Sequence, residues 1–138
     1  MILDTTFIID LMNKDEKALL KLEQFKKTRE TLSVTAITIF ELFMGVAHSN
    51  YPEKEKEKIR KALEDIWIVS FDWFSAEEAG QLHGSLSKKG NMLLPQDCMI
   101  AGMALNLKEK LLTRNAKDFS KVKGLELVTY WARTTINW

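Results

Sequence analysis

The stretch MILDTTFIIDL, residues 1–11, decides the fold of this chain. Met1–Asp4 is a short apolar strand candidate that ends in an acid, and Thr5 or Thr6 is suited to cap a helix over Phe7–Met12. A strand that passes at once into a helix is the opening half of a βαβ unit. The carboxyl end of this first strand therefore carries the first candidate functional residue.

The same alternation of strand and helix continues along the chain. Apolar residues at helical spacing predict helices over Lys14–Lys27, Thr38–His48, Glu53–Glu64, Ala76–Ser87 and Gln96–Leu107. Short apolar or β-branched runs predict strands at Thr31–Ile37, Ile66–Phe71, Lys110–Thr113 and Leu125–Thr129, with loops at Lys88–Pro95 and Arg114–Gly124. This order implies parallel βαβ units and an α/β fold with three layers, α/β/α, around a central parallel sheet.

Length and composition are those of one globular domain. The 138 residues fit a single domain over 1–138, and the hydrophobic fraction of 46% suits an ordinary core. The single cysteine, Cys98, excludes an intramolecular disulfide framework and a multi-cysteine zinc site, and it favours a reducing, cytoplasmic setting. No apolar run approaches the ~18 residues of a membrane span, and the N-terminus lacks the pattern of a signal peptide.

The charge balance excludes a strong basic field. Twenty Lys and Arg against nineteen Asp and Glu leave a net charge of +1, so any contact with nucleic acid must come from a local patch or from bound cations. The run EKEKEKIRK, Glu53–Lys61, alternates in sign. This alternation favours a solvated helix face with ion pairs at i,i+4 over a nucleic-acid patch.

Acidic residues stand at the ends of successive predicted strands. Asp4 ends the first strand, and Glu41 lies in the first turn of the helix after the second. Asp97 opens the helix after Pro95, and Asp118 lies in the loop after the fourth strand. Because the carboxyl ends of parallel strands share one edge of a sheet, we expect these four acids to converge in one crevice.

Four carboxylates at one place indicate a divalent cation. Like charges at short range repel and force some of the groups to protonate, and a cation relieves that repulsion. Oxygen ligands suit Mg²⁺ or Mn²⁺. Such an ion can activate a water and offset charge on a phosphodiester. The chemistry that best matches the acids is metal-dependent phosphodiester hydrolysis.

Each acid also has a purely structural interpretation. Glu41 follows Thr38 in the spacing of a capping box, and Asp97 lies where an acid favours the helix dipole. Asp118 could cap the turn that follows it, and Asp4 could satisfy amides at the next helix start. Singly these interpretations are adequate, but together four acids at strand ends favour a functional site.

Four further polar residues have weaker cases. Asp10, six residues after Asp4, could border the site but is more simply a surface or supporting residue. Thr113 and Asn115 flank Arg114 at a strand end, where they could position waters or Asp118 or merely form a turn. The Arg114 side chain could contact phosphate, although an exposed salt bridge is the more ordinary role.

Taken in order, four segments resemble the motifs of the PIN-domain family, specifically the small VapC-like toxin ribonucleases of bacterial and archaeal toxin–antitoxin pairs. The segments are MILDTTFIIDL, SVTAITIFELFMGV, PQDCMIAGMAL and LLTRNAKDFSKVKGLEL. They match the family's strand–Asp start, its T-x-x-E helix, its D-x-x-I-A segment and its T-x-N-x-x-D-F segment. The resemblance covers essentially the whole chain.

The resemblance implies a parallel sheet of about five strands and an endoribonuclease that uses Mg²⁺ or Mn²⁺. By position, the catalytic and metal-binding residues would be Asp4, Glu41, Asp97 and Asp118, and the supporting residues would be Thr5, Thr6, Thr113 and Asn115. RNA would be the substrate, a VapB-like antitoxin the partner, and a homodimer the common assembly. Two positions depart from the family pattern: Thr6 stands where Asn or Ser is frequent, and Gly102 stands where Ala is common. We expect Gly102 to allow another helix to pack closely.

Apolar residues on two predicted helices exceed the obvious need of one core. They are Phe7, Ile8, Leu11 and Met12 on the first helix, and Phe40, Phe43 and Met44 on the third. These side chains either form a surface for a helical partner or belong to the core. The tryptophans at 67, 73, 131 and 138 could stack on bases, but core or dimer packing suits most of them better, with Trp138 peripheral.

Two other functions compete with the nuclease. A PIN-like module without catalytic activity could bind RNA or protein, and metal titration discriminates it. A receiver-type signalling domain also has an acidic pocket in a small α/β fold. It needs paired acids near the first strand and a late lysine, whereas this chain has Leu3 and Thr5 beside its acid and Arg114 after the late strand.

Overall fold

The computed structural model describes residues 1–131 of the chain and contains five short strands and seven helices in that range. The strands are β1 Ile2–Leu3, β2 Ser33–Thr35, β3 Trp67–Val69, β4 Leu111–Leu112 and β5 Leu127–Val128. The helices are α1 Thr5–Met12, α2 Glu16–Thr28, α3 Ala36–Ala47, α4 Pro52–Ala62, α5 Trp73–Lys88, α6 Pro95–Leu107 and α7 Ala116–Phe119. No helix within the described range is long and apolar enough to span a bilayer.

All five strands run parallel in the order β3-β2-β1-β4-β5. The first strand is therefore the central one, with β2 on one side and β4 on the other. Ile2 pairs with Ser33 and Leu111, and Leu3 pairs with Leu112. This arrangement confirms the predicted parallel sheet and places the residue after β1 at the middle of the sheet's carboxyl edge.

Two hydrophobic clusters cover the two faces of the sheet. Leu3 and Leu112 point into a cluster formed with the first four helices, whereas their neighbours Ile2 and Leu111 point into a cluster formed with α5, α6 and α7. Successive side chains of a strand face opposite sides, so β1, β4 and β5 each contribute to both clusters. The result is the predicted α/β/α arrangement of three layers.

Three helices begin two or three residues earlier than predicted, and each follows a polar residue at its N-cap position. Helix α1 begins at Thr5 with Asp4 at the N-cap position, so the prediction that Thr5 or Thr6 caps it is wrong. Helix α3 begins at Ala36, because the Thr35 hydroxyl accepts a hydrogen bond from the Thr38 amide. Helix α5 likewise begins at Trp73, after the Asp72 carboxylate. The short helix α7 lies within the predicted loop 114–124.

The apolar residues singled out on the first and third predicted helices have different environments on α1 and α3. Phe7 and Ile8 of α1 are fully buried, so this helix belongs to the core. Phe40, Phe43 and Met44 of α3 are 56%, 41% and 43% exposed. Trp67, Trp73 and Trp131 are also exposed, so core packing is wrong for these three, while Trp138 lies outside the described residues.

Two smaller expectations have clear outcomes. Cys98 is buried, as predicted for an apolar helix position. Helix α4 is the expected solvated helix, but its ion pairs join residues three apart rather than four: Glu53 with Lys56, Glu55 with Lys58, and Glu57 with Arg60.

Candidate functional site

The carboxyl edge of the sheet holds the candidate site. Asp4 directly follows the central strand β1, and Thr113 directly follows β4. Asp97 is the third residue of α6, whose N-terminus lies at the same edge. Glu41 is the sixth residue of α3 rather than a first-turn residue, because Thr35 starts that helix. Glu41 therefore does not form a capping box with Thr38.

Asp4 is buried and held by two threonine hydroxyls. The Thr113 Oγ1 donates to Asp4 Oδ2 at 2.8 Å, and the Thr6 Oγ1 donates to the same oxygen at 3.0 Å. Burial raises the pKa of the Asp4 carboxyl, and these hydroxyls oppose the rise. The amides of Thr5 and Thr6 at the start of α1 also donate to this carboxylate and lower its pKa, as predicted, although neither bond has N-cap geometry.

Backbone amides fix the two threonines in turn. The Asn115 amide donates to Thr113 Oγ1 at 2.8 Å, and the Arg114 amide donates to Thr6 Oγ1 at 3.2 Å. Asn115 thus contributes its main chain to this network, while its side chain is exposed. Because each hydroxyl accepts one of these bonds, its single proton is directed at the carboxylate of Asp4.

Glu41 is oriented by a second pair of hydroxyls. The Thr5 Oγ1 donates to Glu41 Oε1 at 2.8 Å and lies 2.9 Å from the Thr38 Oγ1. Since the one Thr5 proton goes to the carboxylate, the Thr38 hydroxyl must donate to Thr5. Burial raises the pKa of Glu41, the Thr5 hydroxyl lowers it, and the charge of Asp4 raises it.

Asp97 reports the convergence of the acids. Its pKa rises from 3.8 to about 6, first because it is partly buried and then because of the charges on Asp4, Glu41 and Asp118. The effect of one charge on the pKa of another group fades with distance, so the carboxylates of Asp4, Glu41 and Asp118 lie near that of Asp97. The structure therefore brings all four predicted acids to one place at the edge of the sheet.

Asp118 lies at the outer side of this group. It is the third residue of α7, so it does not cap the turn after it. Its side chain is 46% exposed, and its Oδ1 lies 3.9 Å from the Nζ of Lys121. The same ammonium donates to the carbonyl of Met92 at 3.1 Å, which links α7 to the loop before α6.

Comparison with known proteins identifies the scaffold that carries these acids. The family model of the PIN domain matches residues 1–125. The chain belongs to the PIN-domain family. This match covers strands β1 to β4 and every acid described above, so the predicted resemblance is confirmed.

Named relatives of this PIN domain are ribonucleases. The tRNA(fMet)-specific endonuclease VapC of Salmonella typhimurium is 29% identical over 126 residues, which are 91% of this chain and 93% of the relative. Ribonuclease VapC2 of Haemophilus influenzae is 28% identical over 123 residues, or 89% of this chain and 92% of the relative.

Solved structures give the same result for the fold. The PIN domain superposes with a TM-score of 0.86 on a chain of the crystal structure of VapBC2 from Rickettsia felis bound to a DNA fragment from their promoter, at 27% identity and with 93% of this chain and 96% of that chain covered. For DNA-bound VapBC from Salmonella typhimurium the TM-score is 0.83 at 27% identity, with 94% and 96% covered.

The donor set of the PIN domain suits a hard cation. All four converging side chains offer carboxylate oxygens, the ligand type that Mg²⁺ and Mn²⁺ prefer. Within residues 1–131, no three His, Cys, Asp or Glu side chains are already grouped tightly enough to hold an ion. Mg²⁺ commonly keeps several waters and takes only one or two carboxylates directly, so these residues fit such an ion.

Asp10 is a buried residue beside the site, which fits the supporting role predicted as one of its two interpretations. Its side chain is 8% exposed, and its oxygens accept hydrogen bonds from Arg114, Tyr130 and Trp131. The surface interpretation is therefore wrong, whereas the predicted salt bridge of Arg114 is confirmed. The signal was present in the sequence: Asp10 stands three residues after Phe7, on the buried face of an otherwise apolar helix.

Proposed function

We propose that this PIN domain is an endoribonuclease that hydrolyses RNA phosphodiesters and acts as the toxin of a VapBC-type toxin–antitoxin pair. The observation that carries the proposal is the convergence of Asp4, Glu41, Asp97 and Asp118 at the carboxyl edge of the sheet. Support comes from relatives that are named VapC ribonucleases and match nearly their whole length. A shared fold alone would not assign an activity, but four converging acids on that fold supply a site with matching chemistry.

The proposed cofactor is Mg²⁺ or Mn²⁺, held by the same four acids. When bound, such an ion activates a water and offsets the charge that develops on the phosphoryl oxygens. The pKa of Asp97 is raised to about 6, so a bound cation, which favours the charged carboxylate, would displace the proton that Asp97 holds near that pH.

The threonines set the geometry of the acids. Thr6 and Thr113 both direct their protons at Oδ2 of Asp4. Thr5 directs its proton at Oε1 of Glu41. These bonds restrict the rotation of both carboxylates before any ligand arrives, which lowers the ordering cost of binding.

The proposed protein partner is a VapB-like antitoxin. Its support is that two of the matching structures are VapBC complexes that cover nearly all of this chain. The exposed apolar side chains Phe40, Phe43 and Met44 of α3 offer a surface of the kind that helical partners bind. A homodimer in the cytoplasm completes the proposal.

Cleavage of RNA by the purified, partner-free protein tests the nuclease. An end-labelled pool of structured RNAs is incubated with Mg²⁺, Mn²⁺ or EDTA and with wild type or Asp97→Asn. The matched control is Asp65→Asn, which makes the same change in charge at an exposed position just before β3, at the opposite edge of the sheet. Binding of Mn²⁺ to each protein is measured by calorimetry in parallel.

We expect discrete cuts that require metal, persist in Asp65→Asn and fall by at least about a hundredfold in Asp97→Asn, the scale on which losing one essential group acts. Full cleavage by Asp97→Asn contradicts the assignment of the site. Failure of the wild type both to cut RNA and to bind Mn²⁺ favours the catalytically silent binding module instead.

A further inference from the structure

The main chain of Arg114 lies beside the acidic group formed by Asp4, Glu41, Asp97 and Asp118, whereas its side chain contacts Asp10. It directly follows Thr113, and its amide donates to Thr6 Oγ1 at 3.2 Å. Both threonines donate to the carboxylate of Asp4. The backbone of Arg114 is therefore one hydrogen bond removed from the central acid.

The guanidinium is held by a buried carboxylate. The Arg114 Nη1 lies 2.8 Å from Asp10 Oδ1, and the Arg114 Cζ lies 5.8 Å from the centre of the Trp131 ring. The other oxygen of Asp10 accepts from the Tyr130 hydroxyl and, at 3.3 Å, from the Trp131 indole N–H. Three donors from the C-terminal half of the chain thus meet one acid of α1.

Two anionic sites compete for this one cation. A guanidinium keeps its charge at every physiological pH and forms its best pairs with carboxylates. The four converging acids attract it, and so does Asp10. In the native structure the guanidinium binds Asp10, whose nearly enclosed carboxylate also accepts hydrogen bonds from two neutral donors.

We propose that Asp10 is a positioning residue that holds the Arg114 guanidinium out of the acidic group and so leaves Asp4, Glu41, Asp97 and Asp118 available to a divalent cation. The inference rests on the proposed function, because it assumes that these acids bind a metal. Without the charge of Asp10, the side chain of Arg114 turns to the acids and competes with the metal from within the same chain.

Binding of Mn²⁺ to the whole protein, measured by calorimetry, tests this inference independently of RNA cleavage. The variants are Asp10→Asn, Arg114→Gln and the double variant. Asp10→Asn keeps the size of the side chain and its capacity to accept from Tyr130. The charge-matched control is again Asp65→Asn, which lies away from the acids. Circular dichroism and thermal unfolding confirm that each variant is folded.

We expect Asp10→Asn to weaken Mn²⁺ binding by at least about tenfold, because a guanidinium and a metal ion that share one group of carboxylates repel each other at short range. Arg114→Gln alone and Asp65→Asn bind as wild type does. The double variant regains wild-type affinity, since the competing cation is gone. This rescue is the result that a merely structural role of Asp10 cannot produce.

Three results overturn the inference. The first is an Asp10→Asn protein that binds Mn²⁺ as wild type does, and the second is a double variant that stays as weak as Asp10→Asn. In both cases the wild type still binds Mn²⁺ and the proposed function stands. The third is a wild type that binds no Mn²⁺, which removes the proposed metal site and the inference with it.

Trp131→Ala provides a second test if Asp10→Asn does not fold. The Trp131 side chain is 42% exposed, so its removal leaves the core intact, yet it packs against the same guanidinium. We expect Trp131→Ala to bind Mn²⁺ about threefold more weakly, because loss of one stacking partner releases the guanidinium only in part. Adding Arg114→Gln to this variant is expected to restore wild-type binding. Unchanged binding by Trp131→Ala then overturns the inference.

Discussion

Replacement of Gly102 by alanine tests the packing that carries Asp97. Gly102 lies in the middle of α6, where its missing side chain lets α5 approach. A Cβ at this position would lie 2.8 Å from the backbone nitrogen of Ala79, and 2.9 Å from the Cα and from the Cβ of Ala79. Two of these three atoms are backbone, so no side-chain rotation relieves the contact and one helix must shift.

The size of the effect follows from two opposing contributions. Overpacking of a tight contact costs ~1–3 kcal/mol. Alanine gains up to ~1 kcal/mol over glycine through helix propensity. We therefore expect Gly102→Ala to lower the free energy of unfolding by about 1–2 kcal/mol and Tm by about 3–10 °C in a domain of this size.

Gly80→Ala is the matched control. Gly80 lies in α5, the partner helix, and a Cβ there would meet nothing within 4 Å. The same substitution at Gly80 is therefore expected to raise stability by about 0.5–1 kcal/mol. Thermal unfolding of the metal-free proteins measures both. A Gly102→Ala protein that is as stable as wild type, or a Gly80→Ala protein that loses as much, refutes the reasoning.

Two further predictions concern protonation of the acids. Because the pKa of Asp97 is raised from 3.8 to about 6, the native protein holds this proton more tightly than the unfolded chain, so stability without metal falls as pH rises through that window. Asp4 and Glu41, whose pKa values are also raised, contribute a slope of the same sign. Urea unfolding across the window is therefore expected to show a steeper slope in wild type than in Asp97→Asn, and an equal slope in both contradicts the prediction. Thr5→Val removes the hydroxyl that lowers the pKa of Glu41, so we expect Mn²⁺ binding to require a higher pH than in wild type. Thr5→Ser keeps the hydroxyl and is expected to bind as wild type does. Calorimetric titration with Mn²⁺ from about pH 5 to about pH 8 distinguishes the two variants.

Local pattern was sufficient for the architecture and for the identity of the four acids. The strand–helix alternation predicted the parallel sheet because hydrophobic period and strand-end chemistry are readable over a few residues. Asp4, Glu41, Asp97 and Asp118 could be placed at one edge because all parallel strands end there. The exact ends of the elements were less predictable. The side chains of Thr35 and Asp72 each accept a hydrogen bond from the amide three residues later, so both helices begin before their apolar periodicity does.

The sequence by itself determined the sheet, the acids and the family motifs, because each depends on neighbours along the chain. Only the tertiary structure decided which side chains restrain those acids. The hydroxyl of Thr113 reaches Asp4 across 109 positions, and Arg114 reaches Asp10 across 104. No local pattern encodes such pairs, since they arise from the register of β1 beside β4 and from the burial that makes an unpaired polar group costly.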